Sequence, residues 1–149
     1  MSESIFDEAK DERTSMEREE RAAEATDSKL PDDKLTESII QCVIKVHKAL
    51  GPAYAESVYR NALVFELKRS GHRVESEKEL AIQYEGQTVG SQKVDIVVDE
   101  LVILTVMTVE KILPVHYARM RSYLRAAGLG VGLMLNFALE RSDFRRVEL

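Results

Sequence analysis

One cysteine, Cys42, no tryptophan and only three prolines occur in the 149 residues of this chain. A single cysteine excludes an internal disulfide and fits a reducing compartment. The sequence holds no cysteine pair, no HExxH helix, no glycine-rich phosphate loop and no nucleophile elbow, which removes the commonest zinc, nucleotide and serine-hydrolase signatures. No apolar run approaches the roughly 20 residues that cross a bilayer, and the amino terminus lacks a basic-then-apolar leader. The expectation is a cytoplasmic protein with no membrane segment.

What is present is an ordinary globular composition with unevenly spread charge. Hydrophobic residues make up 44% of the chain, enough for one domain with its own core. Residues 1–33 carry twelve Asp/Glu against five Lys/Arg, a net of −7, whereas the whole chain is at −5, so residues 34–149 stand at +2. The pI of about 5.3 therefore describes the acidic tail, and a nearly neutral, slightly basic body remains open to nucleic acid. In residues 1–33 the large apolar residues after Met1 are Ile5, Phe6, Met16 and Leu30, too few to offset chain entropy. A disordered tail or a frayed solvated helix is expected, with an acidic interaction tail or nucleic-acid mimic as the functional alternative. Pro31-Asp32-Asp33 marks the boundary to a domain over 34–149.

The periodicity predicts a helix over Leu35–Leu50, with Ile39, Val43, Val46 and Leu50 as its buried stripe, Thr36 or Asp33 as cap, and Gly51-Pro52 as its end. A second helix follows over Ala55–Ser70, with Val58, Ala62 and Phe65 in one apolar line and Tyr59, Leu63 and Leu67 beside it. The period then shortens. Val74–Tyr84 alternates as a strand, with Glu75, Glu77 and Glu79 as the wet face of an edge rather than a metal ladder. Glu85-Gly86-Gln87 reads as a turn, and Gly90-Ser91 as a break in the next strand. Val94–Lys111 reads as an apolar hairpin turning at Asp99 and Glu100. Pro114 opens a third helix to Ala127, and Val131–Leu139 is a last strand before a closing segment. The order is ααβββ(β)αβ, an α/β or α+β sandwich around a mixed β-sheet flanked by helices.

Chemistry concentrates in the hairpin. Asp95 interrupts a Val/Ile run, where an unpaired carboxylate is costly to bury; Thr105 and Met107 share one face of the second strand. Glu56, in the first turn of the second helix, suits the helix dipole if it does nothing else. Glu56 and Asp95 meeting over a sheet have the oxygen chemistry of metal-dependent phosphodiester cleavage, in which Mg²⁺ polarises the phosphate and helps ionise a water. Cys42 and His47 read as a small core residue and a helix-edge imidazole, since nothing nearby completes a metal set. Ser, His and Asp are dispersed, and nothing in the sequence places them together. Arg119, Arg121 and Arg125 on the third helix, with Arg141, Arg145 and Arg146 after the last strand, are either phosphate contacts or solvated cations.

Val46-His47-Lys48-Ala49-Leu50-Gly51-Pro52 followed by Glu56-Ser57-Val58-Tyr59, then Lys93-Val94-Asp95, Val109–His116, Tyr123-Leu124-Arg125 with Gly128-Leu129, and Gly132–Phe137 resemble, in order, the GxxExxY protein family. That family is a branch of the PD-(D/E)xK nuclease-like superfamily. The resemblance covers about Leu35 to Val147, with Ala53 standing where the family often has Gly. It implies a restriction-endonuclease-like (PD-(D/E)xK) core, Glu56 and Asp95 as ligands of Mg²⁺ or Mn²⁺, and DNA or RNA as substrate. Members usually carry Glu-x-Lys on the second hairpin strand, where this chain has Thr105-Val106-Met107, and Gln where Arg119 stands. The expectation is a catalytically inactive nuclease fold kept for nucleic-acid binding or assembly; a separate reading is a homodimer through the apolar hairpin or third helix, with no nucleic acid involved. The alternative is an active Mg²⁺- or Mn²⁺-dependent nuclease in which Lys93 replaces the missing lysine and Glu110 approaches the metal.

Overall fold

The computed structural model describes residues 33–149. The expected unstructured tail lies outside these residues, except Asp33. That residue is the first of helix α1 (Asp33–Leu50) and is buried. Helix α2 (Glu56–Arg69) follows, then strands β1 (Val74–Tyr84), β2 (Gln87–Val98) and β3 (Val102–Met107), helix α3 (Pro114–Ala127), and strands β4 (Val131–Asn136) and β5 (Asp143–Glu148). The strands form one five-stranded sheet in sequence order, antiparallel except for the parallel β3–β4 pair. The expected α/β class and mixed sheet hold. The order differs at its end: three strands precede α3 and two follow it.

The connections follow from backbone chemistry. Gly51 closes α1 at φ +70°, donating its N–H to the His47 carbonyl at 2.8 Å, a left-handed stop that glycine adopts without steric cost. Glu85 and Gly86, at φ 52° and 78°, make the two-residue loop between the paired Tyr84 and Gln87. Asp99 and Glu100, at φ 53° and 59°, turn the hairpin where expected. Gly90-Ser91 does not break β2: Gly90 pairs with Ile82 and Ser91 with Ala81, because an antiparallel partner supplies the hydrogen bonds that weak strand propensity lacks. The irregularity lies beside them: Ile82 pairs with Gly90 and Gln83 with Thr88, which leaves Val89 of β2 as the extra residue of a bulge.

The central strands β3 and β4 are apolar on both faces because both faces are covered. One face packs Ile96, Val98, Leu104, Val106, Leu133 and Leu135 against Ile39, Val43, Val46, Tyr59, Leu63 and Leu67 of α1 and α2. The other packs Ile103, Met107 and Met134 against Tyr117, Met120 and Leu124 of α3. The stripe expected on α1 is therefore right. On α2 the buried line is Tyr59–Leu63–Leu67, with Glu66, while Val58 and Phe65 stand 38% and 61% exposed. Both lines have helical spacing. Packing of Tyr59 on Phe137, rings stacked 4.6 Å apart, decides between them. Tyr59 also donates its hydroxyl to the Gly51 carbonyl and accepts the Tyr54 N–H at 3.2 Å, fastening the α1–α2 turn.

The closing segment is not a solvated tail. Asp143–Glu148 is an edge strand paired with β4, and Arg146 is buried to 1% exposure. Its guanidinium faces Asp33 at 3.5 Å, donates to Glu148 at 2.7 Å and reaches Thr36 at 3.4 Å. Arg145 pairs with Asp143. Thr36 thus faces the sheet rather than capping α1. Among the described residues, no helix is long and apolar enough to cross a membrane.

Candidate active-site cavity

The site opens where two strands part. β2 and β3 keep register from Val98↔Val102 to Ile96↔Leu104, and one residue further on the Asp95 carboxylate replaces the ladder. Its Oδ2 accepts the Val106 N–H at 2.7 Å. Its Oδ1 lies 3.9 Å from Arg60 of α2, whose other terminal nitrogen is 3.6 Å from Glu77 of β1. Burial pushes the Asp95 carboxyl above the usual carboxylate range, and Glu77 adds to this; the Val106 N–H and the Arg60 cation oppose it without cancelling it.

The parted strands leave a cavity of about 190 Å³ bounded by Glu56 of α2, Lys93 and Asp95 of β2, Thr105 and Met107 of β3, and Arg119 of α3. Four elements thus bring together residues spread over more than sixty positions. Arg121, Arg125 and Glu110 do not line it. Two further lining residues are His116, which drew no individual expectation from the sequence, and Tyr123, which the resemblance marks as a position this chain keeps. His116 Nδ1 accepts the Leu113 N–H at 2.8 Å, so the neutral ring carries its proton on Nε2. Burial, helped by the Arg119 charge, holds its pKa below the ordinary imidazole value. Burial also raises the Tyr123 phenol; nearby Asp95 reinforces that shift and Arg119 opposes it. Arg60 was missed as well. Its one sequence signal is the i, i+4 spacing from Glu56.

Thr105 Oγ1 is buried and makes no hydrogen bond. A hydroxyl so placed contributes little to the fold it sits in. Among the described residues, no group of three or more His, Cys, Asp or Glu side chains is gathered as a metal would need. Glu56 and Asp95 supply two carboxylates, and Asp95 already spends one oxygen on a backbone N–H and faces Arg60. Mg²⁺ demands near-octahedral oxygen coordination. The residues present do not make a resident Mg²⁺ or Mn²⁺ site.

Replacing Asp95 by Asn is expected to keep the Val106 hydrogen bond through the amide oxygen. A folded pKa above the unfolded one means that Asp95 favours folding while protonated, and that this contribution is lost as pH rises through the folded value. At pH 7 Asp95→Asn should therefore be as stable as the parent or more so, within about 1 kcal/mol since the Arg60 contact is partly exposed. The gain should vanish below pH 4. Urea titrations at the two pH values check this, and a variant markedly weaker at pH 7 would show that Asp95 is held chiefly by Arg60.

Two other clusters are settled by their contacts. Cys42 is buried, as expected; His47 is not at a helix edge but buried, bonding the Leu139 carbonyl through Nε2 at 2.7 Å and packing on Phe137. Ser38, His72 and Asp99 do come together, contrary to expectation. Ser38 Oγ lies 2.8 Å from His72 Nε2, and His72 Nδ1 lies 2.9 Å from Asp99 Oδ2. Asp99 also accepts the Arg73 N–H at 2.8 Å. Burial raises the Asp99 carboxyl, but these bonds and the neighbouring cationic groups outweigh it and leave it below its ordinary value. The amides of His72, Arg73 and Asp99 are all engaged in the fold, so they offer no oxyanion donors. The cluster clamps the hairpin turn to α1.

A five-stranded mixed sheet between helices, with a carboxylate-bearing cavity where the central hairpin parts, is the frame of the PD-(D/E)XK nucleases. Residues 33–147 match the PD-(D/E)XK nuclease superfamily, and the chain belongs to that superfamily. No curated protein and no solved structure matches it significantly.

Proposed function

We propose that this domain is a PD-(D/E)XK nuclease fold of the GxxExxY type that no longer cleaves, and that it binds nucleic acid through the cavity and the adjoining face of α3. The observation that carries this reading is the pair Thr105 and Met107. They line the cavity beside Asp95 at the positions where the resemblance expects a carboxylate and a lysine. Without them the site lacks a metal ligand and the cation that orients a water or offsets developing charge. Beside Glu56 and Asp95 the cavity keeps two cations, Lys93 and Arg119, and α3 carries Arg119, Arg121 and Arg125 with no acidic residue in its length. Such a helix suits phosphate contacts that position a strand without reading its sequence. Tyr59, which fastens the turn after Gly51, supports the GxxExxY assignment.

Lys93 favours a second reading. It shares the cavity with Asp95, so it is placed to substitute for the absent lysine in an active Mg²⁺- or Mn²⁺-dependent nuclease. Glu110, outside the lining, does not help. On that reading cleavage depends on Asp95 and Lys93 together.

Binding of labelled single- and double-stranded DNA and RNA without divalent metal tests the first reading. Affinity should fall steeply with salt, and Arg119→Ala should reduce the slope of log K against log salt by about one phosphate contact. Salt-independent affinity, or a slope indifferent to Arg119, would exclude this surface.

A further inference from the structure

On the face of the molecule away from the cavity, α1 and α2 leave a groove of about 330 Å³ between Val46, Ala49, Leu50, Ala62 and Phe65. Its walls are almost wholly apolar. Phe65 is 61% exposed there, with the Arg69 guanidinium 5.5 Å from its ring centre. Lys45, Lys48, Lys68 and Arg69 are all exposed on these two helices. The carboxylate lining the groove is Glu66, and Lys45 and Arg69 both pair with it, at 3.0 and 2.9 Å. Two lining cations thus share one carboxylate at the edge of an apolar floor, which leaves one positive charge in excess.

The chain itself carries a complementary sequence. Residues 1–32 hold eleven Asp/Glu against five Lys/Arg, and within them Glu3-Ser4-Ile5-Phe6-Asp7-Glu8 sets two adjacent apolar residues among three carboxylates. This segment is joined directly to α1. Tethering of this kind gives an effective concentration on the order of millimolar, so modest contacts are enough to populate a bound state. We propose that the acidic amino-terminal segment docks onto the α1–α2 groove of its own chain, with Ile5 and Phe6 against Phe65 and the flanking carboxylates facing Lys45 and Arg69. The proposal is independent of whether the cavity binds nucleic acid, because the groove and cavity share no lining residue.

The test uses the full chain with Ser4→Cys carrying a spin label, buried Cys42 being poorly reachable, and reads the broadening of backbone amide resonances. Broadening should concentrate on Lys45, Ala49, Phe65 and Arg69, and fall several-fold in Phe6→Ser, in Phe65→Ser and at high salt. Phe65 is exposed, so its substitution leaves the core intact. Broadening spread evenly over the surface would overturn the proposal. So would broadening centred on Arg119 and Arg125, which would make the segment a nucleic-acid mimic. Transfer of the effect to an isotope-labelled chain without a spin label, mixed with a spin-labelled one, would assign the groove to a second copy instead.

Discussion

Arg146→Ala is expected to destabilise the domain by about 3–5 kcal/mol, because removing one partner of a buried ion pair leaves the other charge uncompensated. In a domain of this size that lowers the melting temperature by about 10 °C or more. Arg146 and Asp33 are buried to 1% and 2% exposure, so neither recovers its lost hydration when its partner goes. The pair also joins the first residue of α1 to the last strand, so its loss frees both ends of the domain. Glu148, whose side chain is 47% exposed, should matter far less: Glu148→Gln is expected to cost no more than about 1 kcal/mol. Replacing both buried charges, as Asp33→Leu with Arg146→Met, should restore most of the loss, since well-packed apolar side chains often equal or exceed a buried ion pair. Thermal unfolding of these variants decides the matter. An Arg146→Ala variant within 1 kcal/mol of the parent would mean that Asp33 finds solvent or another partner.

This pair also explains what the sequence withheld. Asp143–Glu148 reads as a polar closing segment because only one of its two buried residues, Val147, is apolar and the other is Arg146. Burial of that arginine is made tolerable by Asp33 and Thr36, more than a hundred positions away, together with Glu148. Where the burial partner was local or the pattern apolar, the reading held: Ile39, Val43 and Val46 on α1, the Asp99–Glu100 turn, and Pro114 and Gly128 at the two ends of α3. On α2 two lines of equal period competed, and the choice lay with Phe137, far along the chain.

The cavity follows the same division. Alternation put Thr105 and Met107 on one face, and their nearness to Asp95 was legible from the hairpin turn alone. Carboxylate chemistry paired Glu56 with Asp95, and the resemblance set Arg119 at a position where the family has Gln. Arg60, poised between Asp95 and Glu77, carried no signal beyond its spacing. The Ser38–His72–Asp99 cluster joins residues 34 and 27 positions apart, and nothing local announces it. The parting of β2 from β3 is itself a tertiary event, in which a side chain takes over a backbone hydrogen bond.

Thr105→Glu with Met107→Lys is expected to give a metal-dependent nuclease whose cleavage is roughly 10²–10³ above that of the parent. The scaffold should accept the carboxylate, because Thr105 Oγ1 makes no hydrogen bond that its replacement would break. The lysine is the harder change: Met107 is 8% exposed, and an ammonium there is tolerable only with the new carboxylate two residues away on the same strand face. The single change Met107→Lys should therefore destabilise more than the double one. Metal binding gives a readout separate from cleavage. Millimolar Mg²⁺ should raise the melting temperature of the double variant and leave the parent unchanged, since a ligand that binds only the folded state stabilises it by mass action. Adding Asp95→Ala should remove both the shift and the cleavage. A double variant that folds but neither binds metal nor cuts would show that the defect lies elsewhere in the cavity, with Arg119 the next position to revert. If the parent itself cuts with Mn²⁺ and both Asp95→Ala and Lys93→Ala abolish it, the fold never lost its chemistry. Lys93 would then stand in for the lysine that the resemblance expects at position 107.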